Sequence, residues 1–152
     1  RMPEDADGAF EARLAASLAD LSDFAGQHGV RLYLEPINRY EMKSFNRVDQ
    51  AMEFIAAYRL DYLEVLLDTF HMNIEDPSLE EAILLAGPKI GHVHITDSNR
   101  LAPGQGHLDY DSIIRTIRQT GYDRFLSVEA FPEPSAHECA RLGYEFLKRK
   151  LA

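Results

Sequence analysis

Apolar positions along the chain follow two alternating rhythms. Phe10, Leu14, Leu18, Leu21 and Ala25 recur every three or four residues, which is one face of a helix. Gly29 stands where a left-handed glycine would end it. The stretch 30–37 then reads as a strand. Val48, Met52 and Ile55 predict a second helix, with Asn46 placed to cap it. The alternation continues with a strand over 63–70. Ser78-Leu79-Glu80-Glu81 forms a capping box that opens a helix closed by Gly87-Pro88. A strand over 90–96 precedes a helix on Tyr110, Ile113, Ile114 and Ile117, which ends near Gly121. The last unit is a strand over 125–131 and a helix running from the Ser135/Glu138 box through Cys139, Leu142 and Phe146.

This order is one helix followed by four strand–helix units, an α/β chain without linker or low-complexity segment. The connections have crossover length, so the strands are expected to be parallel. Their apolar, β-branched character fits strands covered on both faces. Four units make half of a (β/α)8 barrel, whose usual length is ~250 residues. The alternative is an open doubly wound sheet. We take residues 1–152 as one partial barrel, in which strands 30–37 and 125–131 form two open edges.

The strands also share a chemical feature. Glu35 closes Leu32-Tyr33-Leu34-Glu35-Pro36-Ile37, and Asp68 closes Val65-Leu66-Leu67-Asp68. His94 lies in Gly91-His92-Val93-His94-Ile95, and Glu129 in Phe125-Leu126-Ser127-Val128-Glu129-Ala130. An unpaired acid in an apolar strand costs several kcal/mol. Three acids and one imidazole, one per strand end, point to a shared compensating charge, and a divalent cation is the simplest. Four successive strand ends reach one ion only if the sheet curls, which favours the barrel. The set is hard and oxygen-rich. It suits Mn²⁺, with Mg²⁺ and Co²⁺ as alternatives, better than structural zinc. Other readings stand beside this one. Glu35 fits a hydrogen-bonded buried acid, and Asp68 fits a helix N-cap. His92 and His94 share a strand face, so one would be the ligand and the other a core residue. Asp68 and His71, at i and i+3, would meet around one pocket. Arg100 reads either as a solvated charge or as a fixed donor fork for a substrate oxygen.

Composition narrows the classes. The net charge is −9, and the 16 Lys and Arg form no run longer than Lys148-Arg149-Lys150, which reads as a solvated helix end, so a nucleic-acid partner is not expected. No stretch has the ~18 apolar residues of a membrane span, and no apolar leader is visible. A lone Cys139 leaves a reducing, cytoplasmic setting as the expectation.

At these residues the chain resembles the sugar epimerases and isomerases with xylose-isomerase-like barrels, most closely ketose 3-epimerases of the D-tagatose/D-psicose type. The resemblance lies in Leu34-Glu35-Pro36-Ile37-Asn38-Arg39-Tyr40-Glu41, in Leu67-Asp68-Thr69-Phe70-His71-Met72, in Gly91-His92-Val93-His94 with Asn99-Arg100 and Pro103-Gly104, and in Val128-Glu129. It covers nearly all of this chain and the C-terminal half of that family's barrel. The segment Ile95-Thr96-Asp97-Ser98 departs from the glycine-glutamate pair more usual in ketose epimerases and looks closer to relatives acting on keto-acids or other sugars. The resemblance implies one divalent metal bound by Glu35, Asp68, His94 and Glu129, with Glu35 and Glu129 also serving as the acid/base pair. It implies that Glu41, His71 and Arg100 contact the carbonyl end of a small sugar or keto-sugar. The expected reaction is proton abstraction beside a ketose carbonyl. Alternatives are an aldose–ketose or hydroxypyruvate-type isomerase, a multinuclear nuclease or phosphatase on the same barrel, and a catalytically incomplete half-barrel. An isolated half-barrel would be marginal or would self-associate through its edges, including as a homo-oligomer.

Overall fold

The computed structural model describes residues 8–152. Its elements are α1 (Gly8–Gln27), β1 (Leu32–Leu34), α2 (Val48–Ala57), β2 (Leu63–Asp68), α3 (Thr69–Glu75), α4 (Leu79–Ala86), β3 (Ile90–Ile95), α5 (Tyr110–Gln119), β4 (Leu126–Val128) and α6 (Ala136–Leu151), with a short 3₁₀ turn over Gly87–Lys89. The four strands form one parallel sheet in the order β1-β2-β3-β4. The strand–helix alternation and the parallel sheet are as the hydrophobic pattern requires, and β1 and β4 are its edges.

Differences from the sequence reading are local and have identifiable causes. Strands 30–37 and 125–131 shorten to three residues each. The strand expected over 63–70 stops at Asp68, because Thr69–Glu75 turns at once into α3, a helix the pattern did not reveal. Arg47, not Asn46, is the N-cap of α2. The Asn46 side chain is used elsewhere, donating to the carbonyls of Ile37 and Met42. On α1, Leu21 is exposed while Ala15 and Ser22 are buried. The caps Ser78 and Ser135 accept the N–H groups of Glu81 and Glu138 as expected, and Gly29, at φ 67°, follows the end of α1.

The alternation of side chains gives the sheet two unlike faces. Leu63, Val65, Leu67, Val93 and Ile95 are almost fully buried and join Val48, Ile55, Ile83, Ile113 and Ile117 in the core beneath the helices. The opposite, inner face carries Tyr33, Glu64, Leu66, Asp68, His92, His94 and Ser127. Between β2 and β3 the register shifts by one residue, with Val65 opposite Ile90 and Leu66 opposite His92. Gly91 is the extra residue, and a Cβ there would lie 2.3 Å from the Tyr33 ring. Glycine at this bulge makes room for Tyr33 and resets the register, so that Asp68 lies opposite His94.

Candidate active site

The end of each strand contributes one side chain. Ligand atoms of Glu35, Asp68, His94 and Glu129 all lie within 4.8 Å of one another. In a flat sheet, strands three apart are separated by roughly 14 Å, so this convergence reflects the curl of the sheet. His94 Nδ1 lies 2.5 Å from Glu129 Oε2, 3.6 Å from Asp68 Oδ2 and 3.8 Å from Glu35 Oε1.

Asp68 resolves its two readings by dividing its oxygens. Oδ1 accepts the N–H groups of Phe70 and His71, at 2.8 and 3.1 Å, and so caps α3. Oδ2 is buried without a hydrogen-bond partner, as is Nδ1 of His94. A buried carboxylate oxygen with no hydrogen bond, set among two further carboxylates, is costly unless a positive charge joins them, and one imidazole beside Glu129 does not neutralise three acids. Ligands on opposite sides of an ion bound at ~2.0–2.6 Å stand about 4–5 Å apart, which matches the spread of this cluster. The residues therefore fit one hard divalent cation. Burial, then the charge of Asp68, pushes the Glu35 carboxyl up to about 7. His94 is held above its ordinary value by contact with Asp68 and by the charges of Glu129 and Glu35, against the effect of burial.

A second group of polar residues adjoins the cluster. His71 Nε2 lies 4.0 Å from Glu35 Oε1, and burial lowers the pKa of this imidazole. Asn38 Nδ2 donates to His71 Nδ1 and to Glu41 Oε1, at 2.8 and 3.0 Å. Arg100 completes the chain with a 2.6 Å bond to Glu41 Oε1. Burial pushes the Glu41 carboxyl up, but the hydrogen bond from Asn38 and the charge of Arg100 outweigh it, and its pKa is lowered. The Arg100 guanidinium also lies against the rings of Phe70 and Phe131, 4.9 and 5.6 Å from their centroids. This arginine is a held fork and not a free surface charge. Of the two strand histidines, His92 bonds Ser127 Oγ at 2.8 Å and packs edge-on to His94. It is the supporting member of the pair.

The sequence reading missed three contributors. Asn38 is 1% exposed and joins His71 to Glu41. Its Oδ1 accepts the Tyr40 N–H two residues on, an Asx turn that the Asn38-Arg39-Tyr40 order could have signalled. Asp97 is the hub of loop 97–109. Its carboxylate accepts N–H groups of Ser98, Gly104 and Leu108. Burial alone would raise its pKa, but bonds from Ser98, Gly106, Leu108 and Gly104 lower it. This loop turns Arg100 into the left-handed region at φ 60°. Thr69 is the third. Its hydroxyl donates to the Thr96 carbonyl, which also accepts from the Tyr110 hydroxyl, and this ties the start of α3 to the end of β3.

The architecture is that of part of a parallel α/β barrel whose strand ends bring together a carboxylate–imidazole cluster that could hold a cation. Residues 2–150 match the xylose isomerase-like TIM barrel family, and the chain belongs to that family. It is 37% identical over 120 residues to a D-psicose 3-epimerase of Enterocloster bolteae, covering 79% of this chain and 40% of that protein. It is 40% identical over 119 residues to an L-ribulose 3-epimerase of Mesorhizobium japonicum, covering 78% and 40%. A solved L-ribulose 3-epimerase superposes with a TM-score of 0.91 at 32% identity, covering 99% of this chain and 57% of that one. The chain thus spans about 40% of the length of the curated relatives it matches. Among the described residues, no helix is long and apolar enough to cross a membrane.

Proposed function

We propose that this chain carries the catalytic strand ends of a metal-dependent sugar epimerase, an isomerase acting beside the carbonyl of a ketose. The observation that carries this reading is the convergence of Glu35, Asp68, His94 and Glu129, with Asp68 Oδ2 buried and without a hydrogen-bond partner. These four would hold one divalent ion, with Mn²⁺ preferred and Mg²⁺ or Co²⁺ as alternatives. When bound, such an ion supplies positive charge against the negative charge that builds on the ketose oxygens.

The chain's own residues supply the proton chemistry. One glutamate takes the proton from the carbon beside the carbonyl. The C–H electrons become the C=C bond of an enediolate, and the carbonyl electrons move to oxygen. The other glutamate then returns a proton to the opposite face. Glu35 and Glu129 come from the two edge strands and flank the cluster, so each addresses one face of a planar enediolate. His71, Glu41 and Arg100 would grip the carbonyl end and orient it.

The test uses D-psicose and L-ribulose in D₂O with Mn²⁺, Mg²⁺ or Co²⁺ present. Deuterium at C3 together with the C3 epimer is the expected result. Deuterium at C1 or C2 instead would favour an aldose–ketose isomerase. Metal-loaded protein that exchanges no carbon-bound hydrogen on either sugar would overturn the proposal.

A further inference from the structure

His71 has two ring nitrogens, and the structure assigns the proton to one of them. The backbone N–H of Asn38 points at Nδ1 from 3.4 Å. A backbone N–H can only donate, so this contact favours a bare Nδ1, though weakly at such a long distance. The Asn38 side chain gives the same answer independently. Its Oδ1 lies 3.0 Å from the Tyr40 N–H, and its Nδ2 lies 2.8 Å from His71 Nδ1 and 3.0 Å from Glu41 Oε1. Exchanging O and N in this amide would set a donor against the Tyr40 N–H and an acceptor against the Glu41 carboxylate. Only one orientation satisfies all three neighbours.

We infer that Asn38 is a positioning residue that locks His71 in the tautomer with a bare Nδ1 and a protonated Nε2. Two consequences follow. Neither nitrogen of His71 is available to a cation, so this histidine stands outside the ligand set although it adjoins Glu35. Its Nε2–H, 4.0 Å from Glu35 Oε1, is too far to bond that carboxylate. It is left to donate to an oxygen of the ketose bound beside Glu35. That use rests on the function proposed above, whereas the tautomer rests on the hydrogen bonds alone. The residue is also anchored through its main chain, whose N–H is bonded to Asp68 Oδ1. Asn38 also binds Glu41, so one buried amide sets the orientation of two substrate-facing groups. Aspartate at position 38 would present only acceptors, against Glu41 on one side and Nδ1 on the other.

The test is a long-range ¹H–¹⁵N correlation spectrum of ¹⁵N-histidine-labelled protein at pH 7.5, with His71 assigned through a His71→Gln variant. It is recorded without metal and with Mg²⁺. The expected His71 pattern is a bare Nδ1 and a protonated Nε2 in both states. Asn38→Ala should abolish the single-tautomer pattern, and Asn38→Asp should move protonation to Nδ1. A protonated Nδ1 in the unsubstituted protein overturns the inference. So does a deprotonated Nε2 in the presence of Mg²⁺, or a His71 pattern unchanged in both variants. Should Asn38→Ala not fold, the unsubstituted protein and the near-isosteric Asn38→Asp decide. None of these readings depends on turnover, so failure of ketose exchange with the tautomer intact would sink the functional proposal alone.

Discussion

The inner face of the sheet carries charge at both ends of its strands and treats it in opposite ways. At the N-terminal ends, Glu64 is shared by two arginines. Arg31 donates to it at 2.7 Å and Arg124 at 2.6 and 3.0 Å. Arg124 also donates to the Gly91 carbonyl. Every charge there has a partner from the chain itself. At the C-terminal ends, three carboxylates surround one imidazole, and Asp68 Oδ2 and His94 Nδ1 have no hydrogen-bond partner. Arg100, whose charge bears on Glu35, is already bonded to Glu41. One end is a closed ion-pair network that ties three strands together. The other is left incomplete by the chain, and an external cation would complete it. Proteins accept such local conflict where they work.

The comparison breaks most readily on catalysis. Glu35→Gln removes a base and a charged ligand together, so epimerisation should fall by about 10²–10⁴. Near-normal solvent deuterium exchange in this variant would show that Glu35 is not the base. Arg100→Ala should act mainly on substrate binding, raising KM more than it lowers kcat. The next effect is on stability. A divalent ion at about a hundred times its Kd should stabilise the fold by roughly 2.7 kcal/mol. The gain should be seen as a rise in Tm with Mn²⁺ and its reversal by EDTA. Asp68→Asn should abolish that response. A metal-dependent Tm unaffected by this substitution would place the ion elsewhere.

The strand ends were legible in sequence because the signal is local. An acid that closes an apolar run, as in Leu67-Asp68, has to be compensated, and strand period alone places it. The fold was legible for the same reason: helical and strand rhythms alternate with crossover-length connections. Long-range partners left no such mark. Nothing in Asn38-Arg39-Tyr40-Glu41 states that Asn38 meets His71, 33 residues on. Nor does Arg100 announce that Phe70 and Phe131 would flank it. The short helix α3 was visible only as one of two rival readings of Asp68, strand end or helix N-cap, and the structure uses both. The cap uses one oxygen of the carboxylate and the strand-end cluster the other, and a one-letter code does not distinguish them.

A smaller effect is expected at the compensated end. Glu64→Gln leaves Arg31 and Arg124 facing each other without their anion. Glu64 is largely buried, but Arg31 is well exposed. The cost should lie between those of an exposed and a buried pair, roughly 1–2 kcal/mol. Denaturant unfolding measures it directly. The loss should be the same with Mn²⁺ as with EDTA, since the two ends are independent. A loss that appears only without metal would mean that the ends are coupled through the strands.

Asp76 provides the control for burial without a site. Its Oδ1 accepts the Val48 N–H at 3.2 Å, while Oδ2 is buried without a hydrogen-bond partner. Burial pushes its pKa from 3.8 to about 6, against the hydrogen bond from Val48. The sign follows from linkage. Between about pH 4 and 6 the folded chain binds more protons at this residue than the unfolded chain does. Stability from Asp76 is therefore complete below pH 4 and lost as pH rises through 6. Asp76→Asn keeps the acceptor for Val48 and removes the charge. It should stabilise the protein at pH 7.5 by about 1 kcal/mol, after allowing for solvent screening of a half-buried group. It should also flatten the pH dependence of unfolding over that window. Mn²⁺ should not substitute for the proton here, because Asp76 is not among the carboxylates that converge on the strand-end cluster. If Mn²⁺ stabilised the unsubstituted protein and lost that effect in Asp76→Asn, an orphaned buried oxygen would no longer distinguish the strand-end cluster from an ordinary buried acid.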